Sequence, residues 1–404
     1  MNTVARPWSP LGALRHLNWV LLVGLCLLVA IGTAFIYSAC SIRDEKAVQG
    51  LYLRHAQVAA VGLAVYLTLA CVNYRTLLRG TWVFYLGTLS LLVAVLVFGD
   101  VNMGAQRRVF HVQPSEIAKL AVILFLAWFL GRRDAPRGTA AFLAALGVLA
   151  VPVALVLQQP DLGTALVFVP TVFAMLFVAN VSPRAFWTTV AIGVAAVVWV
   201  LSAVAIAESW EVDKKTHDSR LQVMTGLQGF QQERVAHFLF PEREFEKGAK
   251  NNRGYGSWNK RQSEIAVGSG GVWGKGFCKG DQNLLGYLPP RVSFNDFIFS
   301  VLSEEAGFAG SMTVLALYAL VIGAVLTVAF GCPDGVGKLL CVGVAVMMFC
   351  HVFVNIAMTV GLLPVTGLPL PFISSGGTCL LTMMAAMGFV QSVAIHGRQS
   401  APRF

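Results

Sequence analysis

The sequence predicts an all-α polytopic membrane protein of about ten transmembrane helices. One large extracytoplasmic loop is expected between helices seven and eight, within a single membrane domain over residues 1–404. Three observations predict this. Only 12% of the residues are charged and 56% are hydrophobic, whereas a soluble domain carries about 25% charge. The apolar residues fall in runs of about 20, the length that crosses a bilayer as a helix. The basic residues sit in the short segments between those runs, where membrane topology is encoded. The net charge of +10 therefore does not mark nucleic-acid binding, because no amphipathic segment collects it.

In chain order the candidate spans are 17–38, 56–72, 82–99, 117–131, 139–157, 162–180, 184–207, 297–330, 337–363 and 376–396. The first run lacks a small-residue cleavage site and is read as a retained helix rather than a signal peptide. The fifth and sixth are separated by "QQPDLG", where Pro160 and Gly163 break the helix. The run at 297–330 is longer than one span, so its first turns are expected to project beyond the hydrocarbon. With the N-terminus in the cytoplasm, the inside segments hold eleven basic residues: Arg6, Arg15, Arg75, Arg79, Arg132, Arg133, Arg137, Arg184, Lys338, Arg398 and Arg403. The short outside loops hold five, Arg43, Lys46, Arg54, Arg107 and Arg108. That bias predicts both termini in the cytoplasm. It leaves the segment 208–296 outside, too long for a simple connection. Its tryptophans, glycines and apolar clusters such as "FQQERVAHFLFP" predict an ordered part lying along the membrane surface. Five of the eight cysteines (Cys26, Cys71, Cys341, Cys350 and Cys379) fall inside apolar runs, and no pair has CxxC spacing. The thiols are read as small hydrophobes.

Four clusters carry chemistry. In "SFNDFIFSVLSEE", Asp296 stands at the mouth of a membrane helix, where a charge costs roughly 3 kcal/mol and is usually functional. On an unbroken helix Ser300, Ser303, Gly307, Gly310 and Ser311 lie within about 60° of it. Such a stripe of small residues allows close helix packing, but it does not explain the acid. Glu304 and Glu305 are read as structural, partners of cations or of polar groups in the bundle. The second cluster is "GAQRRVFHVQPSEIAKL", in which Glu116 and Lys119 are spaced to pair on one face. Two readings stay open there: an ion pair that positions the helix, or a cationic site for an anionic headgroup with Arg107 and Arg108. The third holds Gln159 and Asp161 in a tight turn, where Asp161 suits a helix N-cap. The fourth is the face His351, Asn355 and Thr359, whose default role is interhelical hydrogen bonding. "GSGGVWGKGF" lacks the phosphate-loop spacing, and "PEREFEKGAK" reads as a solvated surface. No Asp-x-Asp pair is present, so the metal site usual for a nucleotide sugar is missing.

The segments "QPSEIAK", "QQPDLGTA", "QSEIAVGSGGVWGKGF", "DFIFSVLSEEAGF" and "NIAMTVGLLPVTGLPLPFISSGG" together resemble the SEDS family of bacterial cell-wall polymerases, in the same order from first helix to last. The stretch Leu362 to Phe372 looks more like the elongation branch, RodA, than the division branch, FtsW. The resemblance implies a peptidoglycan glycosyltransferase that polymerises lipid II into glycan strands during cell elongation and releases undecaprenyl pyrophosphate. It implies that Asp296, within Phe294-Asn295-Asp296-Phe297-Ile298-Phe299, is the catalytic base. The substrate-binding set carried over is Arg107, Glu116, Lys119, Gln159, Asp161, Arg234, Asn355 and Ser374. The leaving pyrophosphate would be met by Arg107, Lys119 or Arg234, or by a divalent cation such as Mg2+ or Mn2+; no residue is assigned as a metal ligand. The implied partners are a class B penicillin-binding protein and the elongation machinery, in the bacterial plasma membrane with the site on the extracytoplasmic face. The chain departs from the family pattern in three places. Phe294-Asn295 stands for His-Thr, Leu288-Pro289-Pro290-Arg291 for Leu-Pro-Glu-Arg, and Ser374-Ser375-Gly376-Gly377 for Ser-Tyr-Gly-Gly; the loop around 241–261 also looks remodelled. These bear on loop contacts and the partner surface more than on the reaction. Two rivals remain, a lipid II flippase using the Glu116–Lys119 pair and a non-catalytic scaffold for cell-wall synthases. Dependence on Asp296 separates both from the polymerase.

Overall fold

Long apolar runs have one way to satisfy their backbone in hydrocarbon, and that is to close it into helices. The structure, a computed structural model, describes residues 17–41, 50–102, 105–108, 112–132, 137–159, 161–207, 255–288 and 293–397. In chain order its helices are α1 (Trp19–Ser41), α2 (Leu51–Cys71), α3 (Tyr74–Leu78), α4 (Thr81–Phe98), α5 (Pro114–Gly131), α6 (Thr139–Gln158), α7 (Leu162–Ala179), α8 (Pro183–Ala207), α9 (Tyr255–Ser269), α10 (Asp281–Leu284), α11 (Ile298–Gly331), α12 (Gly335–Thr359) and α13 (Gly377–His396). Nine of them are long and apolar enough to cross a membrane, and α7 is a shorter apolar helix. The chain is a multi-pass membrane protein, and these ten match the ten expected runs. One addition is a small antiparallel hairpin, β1 (Asp100–Asn102) with β2 (Ala105–Arg108), in which Val101 faces Gln106 and Asn102 faces Ala105.

The ends follow local chemistry. Pro114 opens α5 in its first turn, where a missing N–H costs nothing. The side chain of Asn73 accepts from the Arg75 N–H at the start of α3, and Asp161 does the same for Thr164 at the start of α7. Helix α12 ends at Thr359, short of the expected 363, because Gly361 turns into positive φ and Pro364 follows.

Helix α12 is the centre of the bundle, packing on α5, α7, α11 and α13, while α13 packs on α2 and α11 on α1. Most of α5, α12 and α13 is buried, whereas α8 is largely exposed. The exposed positions of the outer helices are themselves apolar, such as Leu27, Val61, Ile192 and Val197, as a lipid solvent requires. The buried face of α12 carries His351, Asn355 and Thr359. The interior is therefore largely apolar with polar groups placed inside it, while the outside is apolar as well.

One expectation needs correction. Helix α11 is broken at Gly307, whose backbone (φ 67°, ψ −164°) is not helical. Residues 308–331 alone make a helix of about 36 Å at 1.5 Å per residue, enough to cross a core of about 30 Å. Residues 298–306 are extra to the span, and the stripe drawn from Asp296 through Ser311 does not exist as one helical face. Ser311 instead turns back, donating to the Gly307 carbonyl at 2.9 Å with its hydroxyl 2.9 Å from that of Ser303. In the long segment before α11, the described helix α9 packs against α11 and α12 and buries Gln262, Ser263 and Ala266.

The glycine-rich stretch explains the break. A Cβ on Gly307 would strike the backbone of Val272, Trp273 and Gly274, and one on Gly270 or Gly274 would strike the carbonyls of Ser303 or Glu305. The two backbones therefore touch with nothing between them. The Phe308 and Ala309 N–H groups donate to Gly271 and Val272 at 2.8 and 3.0 Å. Lys275 and Gly276 donate to the Glu304 and Glu305 carbonyls, each at 3.0 Å. The groups freed by breaking the helix are thus paired again, the condition for a break near bilayer depth.

Candidate active site

Asp296 lies in the turn Phe294–Phe297 that leads into α11, and it is half-buried. The turn is held by its backbone. The Asn355 amide donates to the Asp296 carbonyl at 2.9 Å and to the Leu368 carbonyl at 2.7 Å. The Ser374 hydroxyl donates to the Asn295 carbonyl at 2.6 Å, and the Ser375 N–H donates to the Phe294 carbonyl at 3.2 Å. The carboxylate Oδ1 accepts from the Asn295 amide at 2.9 Å. Asn295, one of the two departures before the acid, therefore addresses the acid directly.

The segment that clamps the turn, residues 366–376, is itself constrained. Buried Phe372 holds φ at 66°, uncommon for a bulky residue and a mark of a site fixed by its surroundings. Tyr318 donates its hydroxyl to the Pro371 carbonyl, and Ser374 Oγ accepts from the Leu370 N–H at 2.7 Å. Behind the turn, Ser263 of α9 donates to the Thr359 carbonyl at 2.8 Å and lies 2.6 Å from the Ser300 hydroxyl.

Glu116 and Lys119 meet as their spacing predicts, with Nζ 2.7 Å from Oε1, and both are about 2% exposed or less. Lys119 also lies 2.5 Å from His351 Nε2 on α12. The ammonium is engaged inside the protein, which supports the ion-pair reading over the headgroup site. Asp161 caps α7 as expected, and its carboxylate also accepts from the Gln113 amide at 3.1 Å, from Ser115 at 3.4 Å and from the Thr164 hydroxyl at 2.8 Å. Gln159 donates to the Leu92 carbonyl at 2.9 Å. Gln159 and Asp161 are both buried, and they tie the turn between α6 and α7 to α4 and to the start of α5.

Glu304 and Glu305 are buried at the break in α11. Lys275 reaches Glu304 at 2.7 Å and Asp281 at 2.9 Å, and the Gln282 N–H donates to Glu304 at 3.1 Å. Glu305 accepts from Ser38 of α1 at 2.5 Å and from the Cys278 N–H at 3.1 Å. Burial works to lower the Lys275 pKa, but its bonds to Glu304 and Asp281 outweigh it and raise the net value. The glycine-rich stretch set aside as a phosphate loop thus carries the cation for a buried acid.

Of the nine expected site residues, the structure brings Asp296, Asn355 and Ser374 together and sets the Glu116–Lys119 pair beside the same α12 face. The amide of Asn355 and the hydroxyl of Ser374 hold the turn rather than project from it. Arg107 falls in β2, with only its backbone described, and Arg234 lies outside the described residues. The reading of the sequence missed Asn295, Ser263, Lys275 and the His351–Lys119 contact. Only glycine density hinted at the Lys275 loop. Among the described residues no three His, Cys, Asp or Glu side chains are grouped to hold a metal ion.

Comparison with known proteins adds the following. The FtsW/RodA/SpoVE family model, described as cell cycle protein, matches residues 18–399. Peptidoglycan glycosyltransferase MrdB of Escherichia coli K12 is 36% identical over 385 residues, covering 94% of each chain. A chain from a structure on the coordination of polymerization and crosslinking by a peptidoglycan synthase complex is 28% identical, with a TM-score of 0.72, covering 95% of this chain and 99% of that one. The crystal structure of the rod shape determining protein RodA of Thermus thermophilus is 26% identical, with a TM-score of 0.63, covering 94% and 97%.

Proposed function

Because the chain belongs to the FtsW/RodA/SpoVE family of cell cycle proteins, we propose that it is a peptidoglycan glycosyltransferase that polymerises lipid II on the outer face of the plasma membrane during cell elongation. The observation that carries this is the half-buried Asp296, set in a turn whose backbone is clamped by Asn355 and Ser374 and whose carboxylate accepts from Asn295. A turn fixed at three carbonyls presents its acid in one position, which general-base catalysis requires.

The reaction joins two lipid-linked units. The hydroxyl oxygen of the acceptor sugar forms a bond to the anomeric carbon of the donor as the bond from that carbon to the pyrophosphate oxygen breaks. The hydroxyl proton passes to the Asp296 carboxylate, and undecaprenyl pyrophosphate leaves. Carboxylates as a class are too weakly basic to make free alkoxide. It accepts the proton as the new bond forms, a contribution of roughly 10²–10⁴-fold. Arg107 and Arg234 remain the proposed cations for the pyrophosphate; Lys119 is assigned to the ion pair instead.

The proposed partner is a class B penicillin-binding protein, whose transpeptidase would cross-link the strands; one similar chain belongs to a peptidoglycan synthase complex. Purified protein given labelled lipid II, with and without that partner, tests both proposals. Glycan polymer is expected with the partner and little without it. Absence of polymer in both samples, with lipid II crossing the bilayer of proteoliposomes, would support the flippase instead.

A further inference from the structure

We propose that His351 is a positioning residue for Asp296, acting through the carbonyl of Pro369; the inference rests on the polymerase reading given above. His351 is fully buried in the centre of the bundle, and the proposed reaction gives it no task. Its surroundings decide its protonation state. A lysine ammonium has three donors and no acceptor, so the nitrogen 2.5 Å from Lys119 Nζ must present a lone pair. The ring is therefore neutral, with its proton on Nδ1. That proton is directed at the Pro369 carbonyl, 3.4 Å away.

From Pro369 the contacts run without a gap to the acid. The next residue, Leu370, donates its N–H to Ser374 Oγ at 2.7 Å, and the same hydroxyl donates to the Asn295 carbonyl at 2.6 Å. The preceding residue, Leu368, accepts from Asn355 at 2.7 Å, and that amide also holds the Asp296 carbonyl at 2.9 Å. His351 and Asn355, one helical turn apart on α12, therefore grip adjacent carbonyls of the segment that clamps the turn. Lys119 sets the tautomer, and the tautomer supplies the donor that Pro369 needs. Misplacing a reacting group by about 1 Å costs on the order of 10²-fold in rate, so a slack Pro369 should be read at the active site.

The bland alternative is that His351 exists only to give buried Lys119 an acceptor. Three variants separate the two. His351→Leu removes both contacts. His351→Asn can place its amide nitrogen near the position of Nδ1 and keep the Pro369 donor, but it loses Lys119. His351→Gln can reach Lys119 with its amide oxygen but loses Pro369. Each is purified with the transpeptidase partner and measured two ways: by lipid II polymerisation kinetics, and by hydrogen exchange of peptides spanning 293–300 and 366–376.

The positioning role predicts faster exchange in both peptides for His351→Leu, with kcat down by roughly 10²-fold and the KM for lipid II unchanged. His351→Asn should rescue both readouts and His351→Gln neither. Any other order overturns the proposal, including the reverse order or equal behaviour of the Asn and Gln variants. If the wild-type complex makes no polymer, the polymerase reading falls, and the exchange comparison still decides whether His351 holds the turn.

Discussion

Replacing Asp296 with asparagine separates chemistry from architecture, because the turn is gripped at its carbonyls. The bonds from Asn355 to the Asp296 carbonyl, from Ser374 to Asn295 and from Ser375 to Phe294 all survive the change. On the side chain, an amide oxygen can still accept from Asn295, whose bond to Oδ1 is 2.9 Å. Weakening that bond costs about 0.5–1.5 kcal/mol. The amide cannot take the acceptor proton, so polymerisation should fall by roughly 10²–10⁴-fold. At 1.36 kcal/mol per tenfold that is about 2.7–5.4 kcal/mol on the barrier, well beyond the weakening of that bond. The assay is polymer length and yield from labelled lipid II by the purified complex, with thermal unfolding and partner binding measured on the same preparation. A well-folded Asp296→Asn complex working near the wild-type rate would refute the assignment. Activity lost only in proportion to folded protein would make Asp296 a residue of the turn and nothing more.

Three further outcomes follow from the geometry. Lys119→Ala should leave Glu116 buried without its cation, at a cost of roughly 3–5 kcal/mol, and reduce folded protein in the membrane. The double change Glu116→Gln with Lys119→Met should restore folding but only part of the polymerisation, because Lys119 also fixes the His351 tautomer; a folded double variant with a greatly raised KM for lipid II would return Lys119 to the substrate site. Lys275→Met should likewise destabilise by roughly 3–5 kcal/mol through Glu304, with Glu304→Gln in the same chain recovering most of it, read by thermal unfolding. Because the Lys275 pKa is raised on folding, its contribution is full below the ordinary lysine value of about 10.4 and is lost as pH rises through the raised value. Wild-type unfolding temperature should therefore gain an alkaline decline that Lys275→Met lacks, with no difference in slope near neutral pH. Gly307→Ala meets a strained backbone worth about 1–3 kcal/mol and collides with the 272–274 backbone, so it should lower folded yield; normal yield and activity would mean the break is not needed.

The helices are legible in the chain alone, since a run of about 20 apolar residues has few other fates. So is whatever depends on near neighbours along one helix. Asp161 caps Thr164, and Glu116 pairs with Lys119 because three residues bring them to one face. The rest depends on packing between distant segments. A stripe below Asp296 needs an unbroken helix, and Gly307 ends that helix because glycines more than thirty positions earlier bring a second backbone against it. Asn355 and Ser374 were visible as polar residues near the site, yet their role as clamps depends on where the 366–376 segment folds back. His351 and Lys119 stand 232 positions apart. Helical periodicity states which residues share a face; it does not state which face of another helix that one meets. That choice is made by packing, where small residues and buried polar groups must find partners because hydrocarbon offers them none.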